Sequence, residues 1–143
     1  MRWLALIVLL LLPLQADAQR IKFTMCPLAS DLTRLAKAVD VYVADTPAAG
    51  SLRDEELLES ATRHDPSLLT PFFSYYVGVQ VEGRNSSVLV CTRDRKAGLL
   101  EDAGCSPEMD AHLWSDSSHL CGFTLNLSAV CRGASPPSAN ACR

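Results

Sequence analysis

The chain has 143 residues, with 13 Lys and Arg against 16 Asp and Glu, which gives a formal net charge of -3. This length suffices for one domain with its own hydrophobic core. The basic residues are scattered singly, whereas proteins that bind nucleic acid or an anionic membrane surface carry them in patches. Composition therefore excludes nucleic acid as a partner and excludes a polybasic membrane-surface protein.

Residues 1–18 have the pattern of a secretory signal peptide. One basic residue, Arg2, precedes a short apolar run that ends at Leu14, and Ala16-Asp17-Ala18 matches the A-x-A cleavage pattern before Gln19. The apolar run is shorter than the roughly 20 residues of a membrane-spanning helix, which argues against an uncleaved anchor. No stable membrane insertion is expected after cleavage. The expected organisation is a cleaved signal peptide at 1–18, a single domain at 19–131 and an irregular tail at 132–143.

Six cysteines follow the predicted cleavage site, and export would bring all of them into an oxidising compartment. An even number of cysteines in an exported chain predicts disulfides, here three, although the order of the cysteines does not determine how they pair. No Cys-x-x-Cys spacing occurs, so the sequence does not support a thioredoxin-like redox function. The six are Cys26, Cys91, Cys105, Cys121, Cys131 and Cys142.

Two features of the sequence point to different hosts. The chain has ten Arg and three Lys, with many Ala and Leu, which favours a GC-rich genome and a bacterial periplasm. Two Asn-x-Ser sequons, at Asn85 and Asn126, would be N-glycosylation sites if the host were eukaryotic. Such triplets also occur by chance, so the sequence predicts export and leaves a periplasmic and an extracellular location open.

Two helices are predicted at the beginning of the domain. Apolar residues recur at helical spacing and predict a helix at about 27 to 44, with Pro27 in its first turn. Ser51, followed by Asp54, resembles a capping box, so a second helix is expected to begin at Ser51 and to end before Pro66. The two helices are expected to form an antiparallel hairpin.

The chain then changes to alternating β-branched and aromatic residues, which are typical of strands. Short polar turns separate three such segments, and this spacing predicts an antiparallel meander. A short helix is expected at about 107 to 114, followed by a fourth strand at 121–128. The predicted fold class is α+β, with two N-terminal helices packed on a three- to four-stranded antiparallel sheet that disulfides cross-link. The strands of the meander are expected at 72–82, 87–92 and 99–102.

Four aromatic residues are grouped at the beginning of the first predicted strand. Because alternate residues of a strand point to opposite faces, one pair is expected to lie under the helices and the other to face solvent, a loop or a partner. Exposed aromatic side chains often mark binding surfaces. Coverage of the second face by the cysteine-rich loops and the tail is the competing interpretation. The candidate binding surface comprises Phe72, Phe73, Tyr75, Tyr76 and, further along the chain, Trp114.

Motifs for catalysis, metal binding and nucleotide binding are missing from the sequence. His112 and His119 flank Trp114 and Asp116, but neither H-E-x-x-H nor clustered Cys and His spacing occurs. The same polar segment contains Ser, His and Asp without a G-x-S-x-G motif. The sequence therefore predicts no cofactor and no metal site, and it favours a non-enzymatic protein without deciding the question.

These observations favour a small exported binding or inhibitor-type protein, periplasmic or secreted, that acts through a face or an edge of its sheet. The expected partner is another protein or an extracytoplasmic ligand. Two alternatives remain open at this point. The first is a small secreted hydrolase that uses His112 or His119 with Asp116, and the second is a secreted effector or toxin component.

Overall fold

The computed structural model describes residues 4–105, 112–114 and 119–133, and for 4–24 and 112–113 it describes the backbone alone. The helices and strands form an α+β fold whose four-stranded sheet is antiparallel throughout, in the order β1-β2-β3-β4, which confirms the predicted fold class. The elements are α1 (Leu4–Asp45), a 3₁₀ helix (Ala49–Ser51), α2 (Asp54–Ala61), a second 3₁₀ helix (Pro66–Phe72), β1 (Tyr75–Glu82), β2 (Asn85–Thr92), β3 (Gly98–Ala103), β4 (His112–Leu113) and α3 (Leu127–Val130).

Helix α1 ends close to the predicted position but begins much earlier. The expected helix at about 27 to 44 started at Pro27, whereas α1 continues through Pro27 back to Leu4. The residues before Pro27 are mostly strong helix formers such as Leu, Ala, Gln and Arg, and no glycine lies among them. The helix therefore continues before Pro27, and the proline does not mark its first turn. The predicted apolar stripe is buried, with Leu32, Leu35 and Val39 fully enclosed.

The expected beginning of the second helix at Ser51 is wrong. Ser51 lies in the first 3₁₀ helix, and its hydroxyl donates to the carbonyl oxygen of Ala48 over 2.7 Å. Helix α2 begins three residues later, at Asp54, with no side chain capping its first turn. The Asp54 carboxylate instead accepts hydrogen bonds from the Tyr76 hydroxyl and the Val79 N–H of β1. Asp54 therefore makes a tertiary contact and does not form a capping box with Ser51.

The meander is confirmed, with small changes at its turns. A two-residue turn joins β1 to β2, and Gly83 there has a φ of 63°, a conformation that glycine adopts without steric cost. Strand β2 therefore begins at Asn85, two residues before its predicted position. Strand β3 begins at Gly98, and Leu99 is an extra residue in β3 opposite the step from Val90 to Cys91 of β2.

One face of the sheet packs against α1. The register places Val77 beside Val90, and these side chains join the core together with Leu100. Polar contacts fix the helix over the sheet, since the Thr33 hydroxyl donates to Asp102 over 2.6 Å. A side chain at Gly104 would come within 2.3 Å of the α1 backbone, so the close approach of helix and sheet requires glycine there.

The second face of the sheet is covered by residues 119–131, and the predicted fourth strand at 121–128 is wrong. Residues 121–126 have no regular structure, and α3 follows them. The buried Glu101 carboxylate accepts hydrogen bonds from the backbone N–H of Thr124 over 2.8 Å and of Leu125 over 3.1 Å. Because these N–H groups donate to a side chain and not to the backbone of a neighbouring strand, the segment lies across the sheet and does not extend it.

The outer edge of β3 pairs with β4, and Ala97, just before β3, forms a single bridge with Leu120. The helix expected at about 107 to 114 lies mostly outside the described residues, and at 112–113 it is wrong because these residues form β4. Of the predicted irregular tail, the structure describes a turn up to Gly133, and residues 134–143 lie outside the described part.

Two disulfides connect the covering segment to the sheet. Cys91 in β2 is bonded to Cys121, and Cys105 after β3 is bonded to Cys131. Cys26 in α1 is also disulfide-bonded, no described cysteine is free, and Cys142 lies outside the described residues. These bonds indicate an oxidising environment.

Among the residues whose side chains are described, no helix is long and apolar enough to cross a membrane.

Candidate functional site

An open groove of about 550 Å³ lies between α2 and the beginning of β1. Its walls come from α2, from the second 3₁₀ helix, from the first three residues of β1 and from Arg95 in the turn between β2 and β3. The volume is in the range of small-molecule and peptide sites. The groove is therefore the candidate functional site of the described part of the chain.

Strand β1 forms one edge of the described sheet, since it pairs only with β2. The N–H of Val79 points away from β2, because it donates to the Asp54 carboxylate over 3.3 Å. Alternate residues of an antiparallel strand turn their N–H and C=O groups to the same side, so Tyr75, Val77 and Val81 also direct these groups to the edge. Val79 is covered by Asp54 and Val81 lies beside Gly50, whereas Tyr75 and Val77 line the groove.

Tyr76 joins the two walls of the groove. Its hydroxyl donates to Asp54 over 2.7 Å, and the guanidinium carbon of Arg95 lies 3.9 Å from the centre of its ring. Burial, then the hydrogen bond and the negative charge of Asp54, raise the pKa of Tyr76, while Arg95 opposes the shift. The phenol therefore remains a proton donor to Asp54 at neutral pH.

Arg95 has a φ of 59°, the one positive value among the described residues other than glycine. A side chain in this left-handed region is strained. The turn holds it there, because the Arg95 N–H donates to the Thr92 carbonyl over 2.8 Å and Asp94 accepts from the Thr92 hydroxyl and from the Lys96 N–H. These hydrogen bonds, with the Thr92 hydroxyl first, lower the pKa of Asp94.

The structure gathers four of the five candidate aromatic residues around this groove, but not in the expected pairs. Phe72 is 3% exposed and Phe73 is 74% exposed. The alternation expected for these two is wrong because neither lies in a strand. Phe72 is the last residue of the 3₁₀ helix, Phe73 follows it, and β1 begins only at Tyr75. Tyr75 and Tyr76 are both half-buried on opposite faces. Trp114 lies beyond β3, at the other edge of the sheet.

The competing interpretation, in which cysteine-rich loops cover the second face, holds for the part of that face formed by β2 and β3. Leu89 and Cys91 point to that face and are buried. Cys91 is bonded to the covering segment itself. A flat exposed aromatic face is therefore not present over these two strands, whereas the aromatic residues near the β1 edge line an open groove.

Of the residues of the hydrolase alternative, the structure describes the side chain of His119 alone. His119 is exposed beside Trp114, with ring centres 5.3 Å apart. Asp116 and the side chain of His112 lie outside what the structure describes. Among the described residues, no three His, Cys, Asp or Glu side chains converge as metal ligands.

The two sequons differ in exposure. Asn85 begins β2 half-buried, and the serine of its sequon, Ser87, is buried. Asn126 is exposed, and its side chain caps α3 by accepting from the Ala129 N–H over 3.0 Å. Glycosylation of either residue stays a prediction.

Sequence reasoning singled out none of the five charged residues of the groove, of which Asp54 and Arg95 contact Tyr76. Asp54 was expected to cap its own helix, and Arg95 lies in a polar turn without a distinctive motif. Asp-Arg-Lys before a glycine predicts a turn, but nothing in it predicts contact with an aromatic ring on another strand.

Comparisons of the chain with known protein families, with curated proteins and with solved structures give no match. The site itself is therefore the basis for a functional argument.

Proposed function

We propose that the protein is an exported, non-enzymatic binding protein that receives an extended segment of another polypeptide as an added strand along Tyr75–Val77. The observation that carries this proposal is the groove beside α2, which the first three residues of β1 line and which lies at the unpaired edge of that strand. Strand addition of this kind uses backbone hydrogen bonds for affinity and neighbouring pockets for specificity.

The protection of the other half of the edge supports the proposal. Exposed sheet edges promote aggregation, and proteins usually cover or interrupt them. Here Asp54 covers the edge at Val79, whereas Tyr75 and Val77 line the open groove. Phe73, at the open end, adds an exposed aromatic side chain that a bound segment would cover.

Export is supported by the signal-peptide pattern at 1–18 and by the disulfides. The periplasm and the extracellular space both supply the oxidising environment that these bonds need. Both locations also contain unfolded or extended polypeptide segments that an edge strand can bind.

The test is selection of random hexapeptides by phage display on the oxidised protein, followed by affinity measurements on two variants. Val77→Pro removes the N–H that an added strand would bind, and proline is tolerated on edge strands. Val77→Ala shortens the same side chain and keeps the N–H. We expect Val77→Pro to lower the affinity for a selected peptide about tenfold relative to Val77→Ala.

Circular dichroism of both variants checks that the fold is retained. Equal affinity of the two variants would contradict strand addition. Failure of the folded protein to select any peptide would contradict it as well.

A further inference from the structure

The charges that line the groove restrict the chemistry of its ligand. The inference rests on the proposed strand addition and concerns which segment is bound. We infer that the segment is basic and apolar, with a Lys or Arg side chain that lies against Glu55 and Glu59 of α2.

Five charged side chains line the groove, and three of them already have a partner. Asp54 accepts hydrogen bonds from Tyr76 and from the Val79 N–H. The other two partnered groups are cations. Arg95 stacks on the Tyr76 ring, and the Arg53 guanidinium lies 3.7 Å from the carboxylate of Glu56.

Glu55 and Glu59 also line the groove, and neither forms an ion pair or a hydrogen bond with a described residue. They are four residues apart in α2, so they lie on the same face of the helix. Like charges at this spacing repel each other. A cation placed between them would remove that repulsion and complete the pairing of the charges in the groove.

The remaining surface of the groove is apolar. Leu58 and Phe72 are buried beneath it, Leu69 is half-buried, and Phe73 is exposed at the rim. An added strand that carries a basic side chain toward α2 can place an apolar side chain near Phe73. An acidic or phosphorylated segment would instead bring negative charge toward two unpaired carboxylates.

The experiment measures the charge of the peptides that the same selection yields. Sequencing of the hexapeptides selected on the native protein should show enrichment of Lys and Arg over Asp and Glu relative to the unselected library. One selected peptide is then synthesised and titrated against the native protein, a Glu55→Gln/Glu59→Gln variant and a Glu56→Gln control. Glu56 has the same charge on the same helix but is paired with Arg53 and does not line the groove.

We expect the double variant to bind the peptide about fivefold more weakly in dilute buffer, with the difference reduced in 0.5 M salt, because exposed ion pairs are screened. The Glu56→Gln control should bind within about twofold of the native protein.

Two outcomes separate this inference from the proposed function. If selected peptides depend on the Val77 N–H but show no basic enrichment, or bind the double variant as tightly as the native protein, the charge inference is wrong and strand addition stands. If binding does not depend on the Val77 N–H, strand addition itself is wrong.

Discussion

The two halves of the β1 edge differ in their neighbours. At Val79 the edge N–H is bonded to Asp54, and the side chain of Val81 lies beside Gly50. At Tyr75 and Val77 the same kind of edge opens into a groove lined by aromatic side chains. One carboxylate, at the first turn of α2, therefore separates a protected half of the edge, at Val79 and Val81, from a half at Tyr75 and Val77 that lines the groove.

The largest effect is expected for Asp54→Ala, which removes the cover of the protected half. The variant leaves the Tyr76 hydroxyl and the Val79 N–H without their partner, so we expect a loss of about 2 kcal/mol in the free energy of unfolding, measured by urea denaturation. Hydrogen exchange at the Val79 amide should become faster. Asp54→Asn keeps an acceptor and should lose less, and native stability of Asp54→Ala would show that Asp54 does not hold the edge.

A smaller effect is expected for Tyr76→Phe, which removes one donor to Asp54 and keeps the ring under Arg95. We expect a loss of about 1 kcal/mol at neutral pH. Because the pKa of Tyr76 is raised in the folded protein, its contribution is fully present below the ordinary tyrosine pKa and is lost as the pH rises through the raised value. The native protein should therefore lose more stability than Tyr76→Phe in alkaline urea titrations. Parallel pH profiles for the two proteins would contradict this assignment.

The smallest effect is expected at Arg95, which lines the groove. Arg95→Ala loses the contact with the Tyr76 ring and keeps the strained backbone, so we expect a loss of about 0.5 kcal/mol, as for an exposed cation–π contact. Arg95→Gly loses the same contact but relieves the strain, so its stability should lie close to that of the native protein. Thermal unfolding of the two variants measures the difference, and equal values would mean that the positive φ carries no strain.

The sequence predicted the elements that depend on local periodicity. The apolar stripe of α1 and the alternation in β1 are repeated over many residues, and the structure contains both. The antiparallel meander followed from short polar turns, and Gly83 supplies one of them. These signals are local, so a single sequence is enough to detect them.

The errors share a different physical cause. Asp54 was expected to cap its own helix, and residues 121–128 were expected to extend the sheet as a strand. In the structure, Asp54 and Glu101 both accept backbone N–H groups from segments more than twenty residues away. The residues next to a carboxylate in the sequence do not indicate which distant backbone group it will bind. One such contact, between Asp54 and Val79, lies beside the groove.

The disulfides show the same limit. Their formation followed from the number of cysteines and the expected export, but the pairing of Cys91 with Cys121 and of Cys105 with Cys131 depends on how residues 119–131 cross the sheet. That path is set by the Glu101 contacts, which the sequence pattern does not reveal.

Those two disulfides also bear on when the fold is completed. The covering segment buries few side chains of its own, chiefly Leu125, Leu127 and Val130. In a reduced chain these side chains and the Glu101 hydrogen bonds would have to hold the segment alone, whereas α1 and the meander share a larger continuous core. Closing the second layer over the sheet therefore depends more on disulfide formation than the packing of α1 on the meander does.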